Sequence, residues 1–207
     1  MTGRRVILAS ASPRRDELLN LISLPHEILV TDADETPTGN APEELGLSPA
    51  GWYAYSASAA KAEAAEKVIF SGSKPDGSTI IIAADTVVSA DGTEVFGKPR
   101  DDADAARMLR ALSGREHFVI GGITVSDGTR RVTKCVTTSV RMKRLTEEDV
   151  SAYIATGEPF GKAGAYAIQG RGAVLVDSIT GDYGNVVGIS TSTLRDILKF
   201  DFSAEIL

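Results

Sequence analysis

"TIIIAADTVV", residues 79 to 88, is the most apolar run in the chain, and its reading decides the fold. Its apolar residues follow one another instead of alternating with polar ones, which predicts a central strand covered on both faces. The run is expected to end at Asp85. A carboxylate at the end of a buried strand is costly unless it is paired, coordinates a metal or opens into a cleft. Ligands of α/β sheets gather outside the carboxyl ends of strands, so Asp85 is the first candidate for a general base or metal ligand. The plainer reading is a strand-ending Asp that caps the next turn.

Outward from this run the elements alternate. "VILAS" (6–10) reads as a short buried strand, Ser12-Pro13 as the start of a helix reaching about Leu24, and "HEILV" (26–30) as a second strand. A long polar loop, 31–51, leads to an alanine-rich helix from Trp52 to Lys67. Beyond the central run, "SADGTEVFG" (89–97) carries an Asp-Gly hairpin signal, and "DDADAARMLRAL" (101–112) reads as a helix capped by Asp101 or Asp102. Residues 117–145 give two long strands joined by another Asp-Gly turn. "TEEDVSAYIATG" (146–157) is a helix with an acidic first turn and a glycine stop. Short strands are expected around "AYAIQG" (165–170) and "AVLVDSI" (173–179), then a "TGDYGN" turn and a C-terminal helix near "STLRDILKF" (192–200).

Composition bounds the function. With 207 residues, 43% of them hydrophobic, the chain can build one α/β domain or two small lobes around a shared cleft. A net charge of −6 argues against a protein that coats nucleic acid, so any basic cluster is local. One cysteine, Cys135, excludes an internal disulfide and a Cys-rich zinc site and suits a reducing cytosol. No apolar run approaches the ~18–20 residues of a membrane span. "VILAS" is too short for a signal-peptide core, so a soluble cytoplasmic protein is expected.

"SASPRRDELL" (10–19) sets a pair of cations, Arg14 and Arg15, in the first turn of its helix. The macrodipole is positive there, so a cation costs roughly the 0.3–1 kcal/mol that an anion would gain. The Ser10 and Ser12 hydroxyls, the free helix N–H groups and the two guanidiniums together suit a phosphate, with one arginine facing the ligand and the other a neighbouring carboxylate. The plainer alternative is a Ser-Pro cap with two solvated arginines. Glu35 beside Asp34, Lys61, Lys98 in "FGKP" and Lys162 in "FGKAGAY" form a weaker, scattered set, because a surface lysine is usually only solvated. Neither "GKP" nor "GKAG" is a P-loop.

"ILASASPRRDELL" (7–19), "DADET" (32–36), "AADTVV" with "FGKP", "LSGREHFVIGGITV" (112–125) and "GKAGAYAIQGRGAVLVDSITGDYGNVVG" (161–188) together resemble the Maf family of nucleoside triphosphate pyrophosphatases. The resemblance spans nearly the whole chain and keeps the order of every block. It implies a Maf/Ham1 (ITPase)-like α/β fold: a mixed, twisted central sheet flanked by helices, a single domain over 1–207 whose two lobes enclose a cleft. It implies hydrolysis of a triphosphate to monophosphate and pyrophosphate. Carried over by block, Asp85 is the proton acceptor, and Ser10, Arg14, Arg15, Lys61 and Lys98 bind phosphate. Glu35 and Asp85 would hold a divalent metal cation, Mg²⁺, Mn²⁺ or Co²⁺. The expected partner is a nucleoside triphosphate, with no nucleic-acid polymer and no membrane; a homodimer is compatible with the sequence. His26, His117 and Cys135 match no site and read as structural.

Two branches of that family differ near the base pocket. The branch that resembles 7-methyl-GTP pyrophosphatases has Trp-Arg-Arg, Ser-Asp-Gln and Cys-Glu-Gly where this chain has "SPRR", "ADT" and "IQG". Arg14, Thr86 and Gln169 therefore look like the dTTP/UTP branch. The chemistry agrees: a cationic 7-methylguanine favours a carboxylate, whereas uracil and thymine offer an N3–H donor beside carbonyl acceptors, which a neutral amide answers. Alternatives are a 7-methyl-GTP-type enzyme, a non-catalytic nucleotide-binding regulator of cell division, and a phosphotransferase or phosphomonoesterase. The family commonly continues "NVVGLP" where this chain has "NVVGIST", a departure that bears on the last helix.

Overall fold

A computed structural model describes residues 3–205; of the expected span 1–207, Met1, Thr2, Ile206 and Leu207 lie outside the described residues. Six strands form one sheet: β1 (Arg5–Leu8), β2 (Glu27–Ile28), β3 (Thr79–Ser89), β4 (Glu116–Ser126), β5 (Arg131–Met142) and β6 (Val176–Thr180), in the order β2-β1-β3-β4-β5-β6. β1 is parallel to β2 and β3, and the remaining pairs are antiparallel. The mixed sheet flanked by helices is the expected fold class.

The central run lies where both faces are covered. Ile80, Ile82 and Ala84 face one side and join Leu18 and Leu19 of α1 (Pro13–Leu21) and the C-terminal helices. Ile81 and Ala83 face the other and meet Ala62 and Ala65 of α2 (Pro49–Ile69). A second cluster on the first face begins at Val88 and contains Met108, Leu109 and Leu112 of α3 (Asp102–Leu112) with Val150 and Tyr153 of α4 (Glu147–Ile154). Thr86 sits between Ala84 of the first cluster and Val88 of the second, so the gap between the two cores opens above it.

β3 does not end at Asp85. It continues to Ser89, and Asp85 pairs with Gly122 of β4. What ends is its neighbour: β1 pairs with β3 only as far as Leu8 opposite Ile82. Past that point the β3 edge is released from β1, and at Val88 it bridges to Phe96. The chain leaves β1 toward β2 on one side and returns to β3 on the other, so this is a topological switch point, where α/β sheets bind ligands.

α2 starts at Pro49, three residues before the expected Trp52, because the Ser48 hydroxyl accepts the Gly51 N–H at 3.1 Å as its cap. Alanine content lets it lie flat on the sheet, with Ala50, Ala54, Ala57, Ala62 and Ala65 all fully buried. Gly122 completes the approach. A Cβ there would stand 2.0 Å from the Ala54 carbonyl oxygen.

The last third departs from expectation. "AYAIQG" forms no strand: Ala163–Ala165 and Gly170–Leu175 are 3-10 turns, and only Val176–Thr180 joins the sheet. The "TGDYGN" turn opens a short helix, α5 (Tyr183–Val187), with Asp182 accepting from Asn185 N–H at 2.9 Å. α6 (Thr191–Asp196) runs on into a π-helical turn at Ile197–Asp201. The Ile-Ser-Thr departure has a local cause: Ser190 caps α6 by accepting the Thr193 N–H at 3.1 Å and donates its own proton to Asp182. Among the described residues no helix is long and apolar enough to cross a membrane.

Candidate active site

At the switch point lies a cleft of about 520 Å³. β1 ends in a loop whose Ser10 lines it, α1 begins there with Arg14 and Arg15, β3 contributes Asp85 and Thr86, and α2 contributes Tyr53 and Lys61. Glu35, Lys98, Lys162 and Gln169 complete the wall. All eight transferred positions, with Thr86, therefore come together from segments up to 159 residues apart (from Ser10 to Gln169).

The helix start differs from the expected cap. Ser12 is the N-cap by position but makes no side-chain cap bond; the Ser10 hydroxyl instead accepts the Ser12 N–H at 3.2 Å. Arg15 is buried at 8% exposure, and its neighbours are neutral oxygens. Its Nε donates to Gly188 O at 2.9 Å, Nη1 to Ser10 Oγ at 3.0 Å and Nη2 to Thr86 Oγ1 at 3.2 Å. Arg14, half-buried, donates Nε to Val187 O at 3.1 Å.

The expectation that one arginine faces a neighbouring carboxylate is corrected: among the described residues neither guanidinium forms an ion pair. The first-turn acid, Asp16, is turned to Asn20 and His26 instead. Burial lowers the pKa of both arginines, more distant Asp85 and Glu35 opposing the shift at Arg15 and Glu17 opposing it at Arg14. Two cations thus lie in the cleft wall with no local counterion, an arrangement that costs stability unless an anion docks.

Across the cleft the two carboxylates share one ammonium. Lys61 Nζ lies 2.6 Å from Asp85 Oδ1 and 3.1 Å from Glu35 Oε2. With Lys98 and Lys162, the lining holds five cationic side chains (Arg14, Arg15, Lys61, Lys98, Lys162) against two anionic ones (Glu35, Asp85), in a chain whose net charge is −6. Lys162, part of the weaker scattered set, points its ammonium at Glu158 O at 2.7 Å, and burial and the nearby Arg14 both lower its pKa. Among the described residues no group of three or more His, Cys, Asp or Glu could hold a metal. Within the cleft, Glu35 and Asp85, which converge on one positive charge, are the carboxylates that could hold a cation, in keeping with the preference of Mg²⁺ for one or two carboxylates plus substrate oxygens.

Sequence reasoning missed Tyr53. It stands two turns before Lys61 on α2, and the i, i+4, i+8 series Tyr53, Ala57, Lys61 is the signal that places it on the same stripe. Burial raises its pKa, with Asp85, Glu35 and Asp34 adding to the shift. Thr86 lines the cleft, but its hydroxyl is committed to Arg15 and to Gly188 O at 3.3 Å. The Gln169 amide makes no hydrogen bond among the described residues and stands half-buried in the wall. His117 is fully buried against the Tyr166 hydroxyl at 2.7 Å and Cys135 is held up to about 11 by burial, so both are structural, as expected.

Fold and cleft define a class: an α/β protein with a cleft rich in cationic side chains at the switch point of its sheet. The chain belongs to the Maf family, the model for Maf-like proteins matching residues 5–200. It is 43% identical to a dTTP/UTP pyrophosphatase of Bacillus velezensis over 207 residues, 97% of this chain and 99% of that one. It is 46% identical to a dTTP/UTP pyrophosphatase of Syntrophotalea carbinolica over 197 residues, 94% of this chain and 83% of the other. A solved structure of the Staphylococcus aureus Ham1 protein aligns over 84% of this chain and 80% of its own, with a TM-score of 0.46 and 16% identity.

Proposed function

We propose that this chain is a dTTP/UTP pyrophosphatase, hydrolysing its substrates to the nucleoside monophosphate and pyrophosphate by attack of water at the α-phosphorus. The observation that carries this reading is the pair Arg14 and Arg15, set in the cleft without counterions and opposite a carboxylate pair that already has its own cation. Relatives bearing that name, matched over 97% and 94% of this chain, support it.

The roles follow from position. Arg14, with both terminal nitrogens free of hydrogen bonds among the described residues, together with Lys98 and Lys162, meets the negative charge of the triphosphate and of the departing pyrophosphate. Arg15 and Ser10, bonded to each other, form the floor of that phosphate site. Asp85 accepts the proton of the attacking water, and Lys61 orients it. A divalent cation bound to Glu35 and Asp85 would supply Lewis-acid charge to the phosphate oxygens and help ionise water. Gln169, with its amide unspent, reads the pyrimidine edge, and Thr86 acts on it by holding Arg15 in place. The chain works as one domain, its two core clusters forming the two walls.

Purified protein incubated with a divalent metal and a panel of triphosphates tests this. The expected products are pyrophosphate and monophosphate, fastest from dTTP and UTP. Release of orthophosphate alone points to a phosphomonoesterase, faster turnover of 7-methyl-GTP moves the chain to the other branch, and binding without turnover makes it a regulator.

A further inference from the structure

The segment that carries Gln169 is held on both sides by two residues that no role in the reaction accounts for. On the near side, the Tyr153 hydroxyl of α4 accepts the Ala167 N–H at 3.2 Å. On the far side, the Glu158 carboxylate, in the loop after α4, accepts the Arg171 N–H at 2.9 Å and the Gly172 N–H at 3.1 Å. Burial raises the pKa of the Tyr153 hydroxyl, and the nearby Glu158 carboxylate adds to the shift. The main chain of Glu158 accepts the Lys162 ammonium, so the same turn anchors a second wall residue.

The glycines of "IQGRG" make this clamp sterically feasible. Gly170 has φ +65°, and a Cβ there would come 2.8 Å from Glu158 Oε1; a Cβ at Gly172 would stand 2.3 Å from Ala167 O and 2.5 Å from the Tyr153 hydroxyl. Only a chain without side chains at 170 and 172 brings its amides down onto Glu158 and Tyr153. Gln169 is the residue left between the two anchor points. Its own side chain makes no hydrogen bond among the described residues, so its direction follows from how the backbone is held.

We propose that Glu158 and Tyr153 are positioning residues for base selectivity: they hold the 167–172 segment so that the Gln169 amide meets the base in one orientation. This rests on the reading of Gln169 given above. Freed of these bonds, the amide sweeps a wider volume and loses the difference between a pyrimidine edge and a purine edge. The phosphate site is left in place: Ser10, Arg14 and Arg15 lie on other segments, and Lys162 is held by the Glu158 main-chain carbonyl, which a side-chain change keeps.

The test measures kcat and KM for dTTP and dGTP in Glu158→Gln, Tyr153→Phe and Gln169→Ala. Glu158→Gln keeps the shape but turns one acceptor into a donor facing an N–H; Tyr153→Phe removes only the hydroxyl and keeps the buried ring, so that at least one clamp variant folds. The expected result is a fall of about tenfold in the dTTP-to-dGTP ratio of kcat/KM in each, carried by KM for dTTP, the size of one misplaced hydrogen bond. A parallel loss on both nucleotides is what a purely structural role would give and overturns the proposal. An unchanged ratio in Glu158→Gln and Tyr153→Phe beside a lowered ratio in Gln169→Ala overturns the clamp while the reading of Gln169 stands. A lowered ratio in the clamp variants with none in Gln169→Ala overturns the link through Gln169.

Discussion

Lys61 Nζ on α2 lies 2.6 Å from Asp85 Oδ1 on β3, and the same nitrogen reaches Glu35 at 3.1 Å. One ammonium therefore separates two carboxylates that would otherwise repel. Lys61→Met keeps the stem and removes the charge, stranding Asp85 at 13% side-chain exposure. We expect a loss of about 2 kcal/mol, below the 3–5 kcal/mol of a fully buried pair because Glu35 is 43% exposed, together with a loss of turnover. Chemical denaturation of the variant reads the first, and an unchanged midpoint would contradict it.

Asp85→Asn should leave the fold and nucleotide binding intact while lowering turnover on the order of 10²-fold or more, because the amide cannot take the proton of the attacking water. Pyrophosphate release and nucleotide titration, run on the same preparation, separate the two effects. Near-normal turnover would remove Asp85 from the role.

The two arginines, indistinguishable by position in the helix, should behave differently when changed to alanine. Arg14→Ala removes one bond to Val187 O and relieves a helix-dipole conflict, so stability should hold or rise slightly while triphosphate binding weakens. Arg15→Ala deletes three bonds that join α1 to Ser10 in the loop after β1, to Thr86 of β3 and to Gly188, and should cost about 2–3 kcal/mol as well as activity. Equal melting temperatures for both variants would refute the distinction.

His117 sets a pH dependence of stability. Burial holds its pKa down to about 4, below the ordinary 6.5, so between those values the unfolded chain binds a proton that the folded chain refuses. Stability is complete above pH 6.5 and falls as the pH drops toward 4, by up to about 3 kcal/mol. His117→Gln should flatten that part of the profile in urea titrations at pH 4.5 and 7; an unaltered slope would count against it.

Gly122→Ala should be among the most damaging single-methyl changes in the sheet. The new Cβ meets the Ala54 carbonyl oxygen and carbon at 2.0 and 2.5 Å, backbone atoms of a helix that cannot rotate away. A loss of about 3 kcal/mol, the upper part of the overpacking range, is expected, with Lys61 displaced from Asp85 and activity reduced. Gly97→Ala serves as the stability control, since a Cβ there would meet nothing within 4 Å and its backbone lies outside the left-handed region.

The sequence by itself determined the local elements and the list of chemical candidates. Apolar runs and caps are written into neighbouring residues: the buried central strand, the Asp101 cap that accepts the Asp104 N–H at 2.8 Å, and the two long strands around the Asp-Gly turn at 127–128 all follow from interactions within a few positions. The resemblance of whole blocks supplied the site residues in the same way, as names without geometry. Tertiary structure alone decided the rest. That β3 runs past Asp85 depends on β4, which stays paired with it as far as Phe118 opposite Ser89, and that is a property of the neighbouring strand. Whether Arg15 is a ligand arm or a fold-spanning strut depends on Gly188, 173 residues away. "AYAIQG" has the composition of a strand, but the sheet edge is taken by Val176–Thr180, and the Ala167 amide bonds the Tyr153 hydroxyl instead. Local sequence sets which groups are available and which face they share; the partners that satisfy a buried charge or a free backbone N–H are chosen only when distant segments close around it.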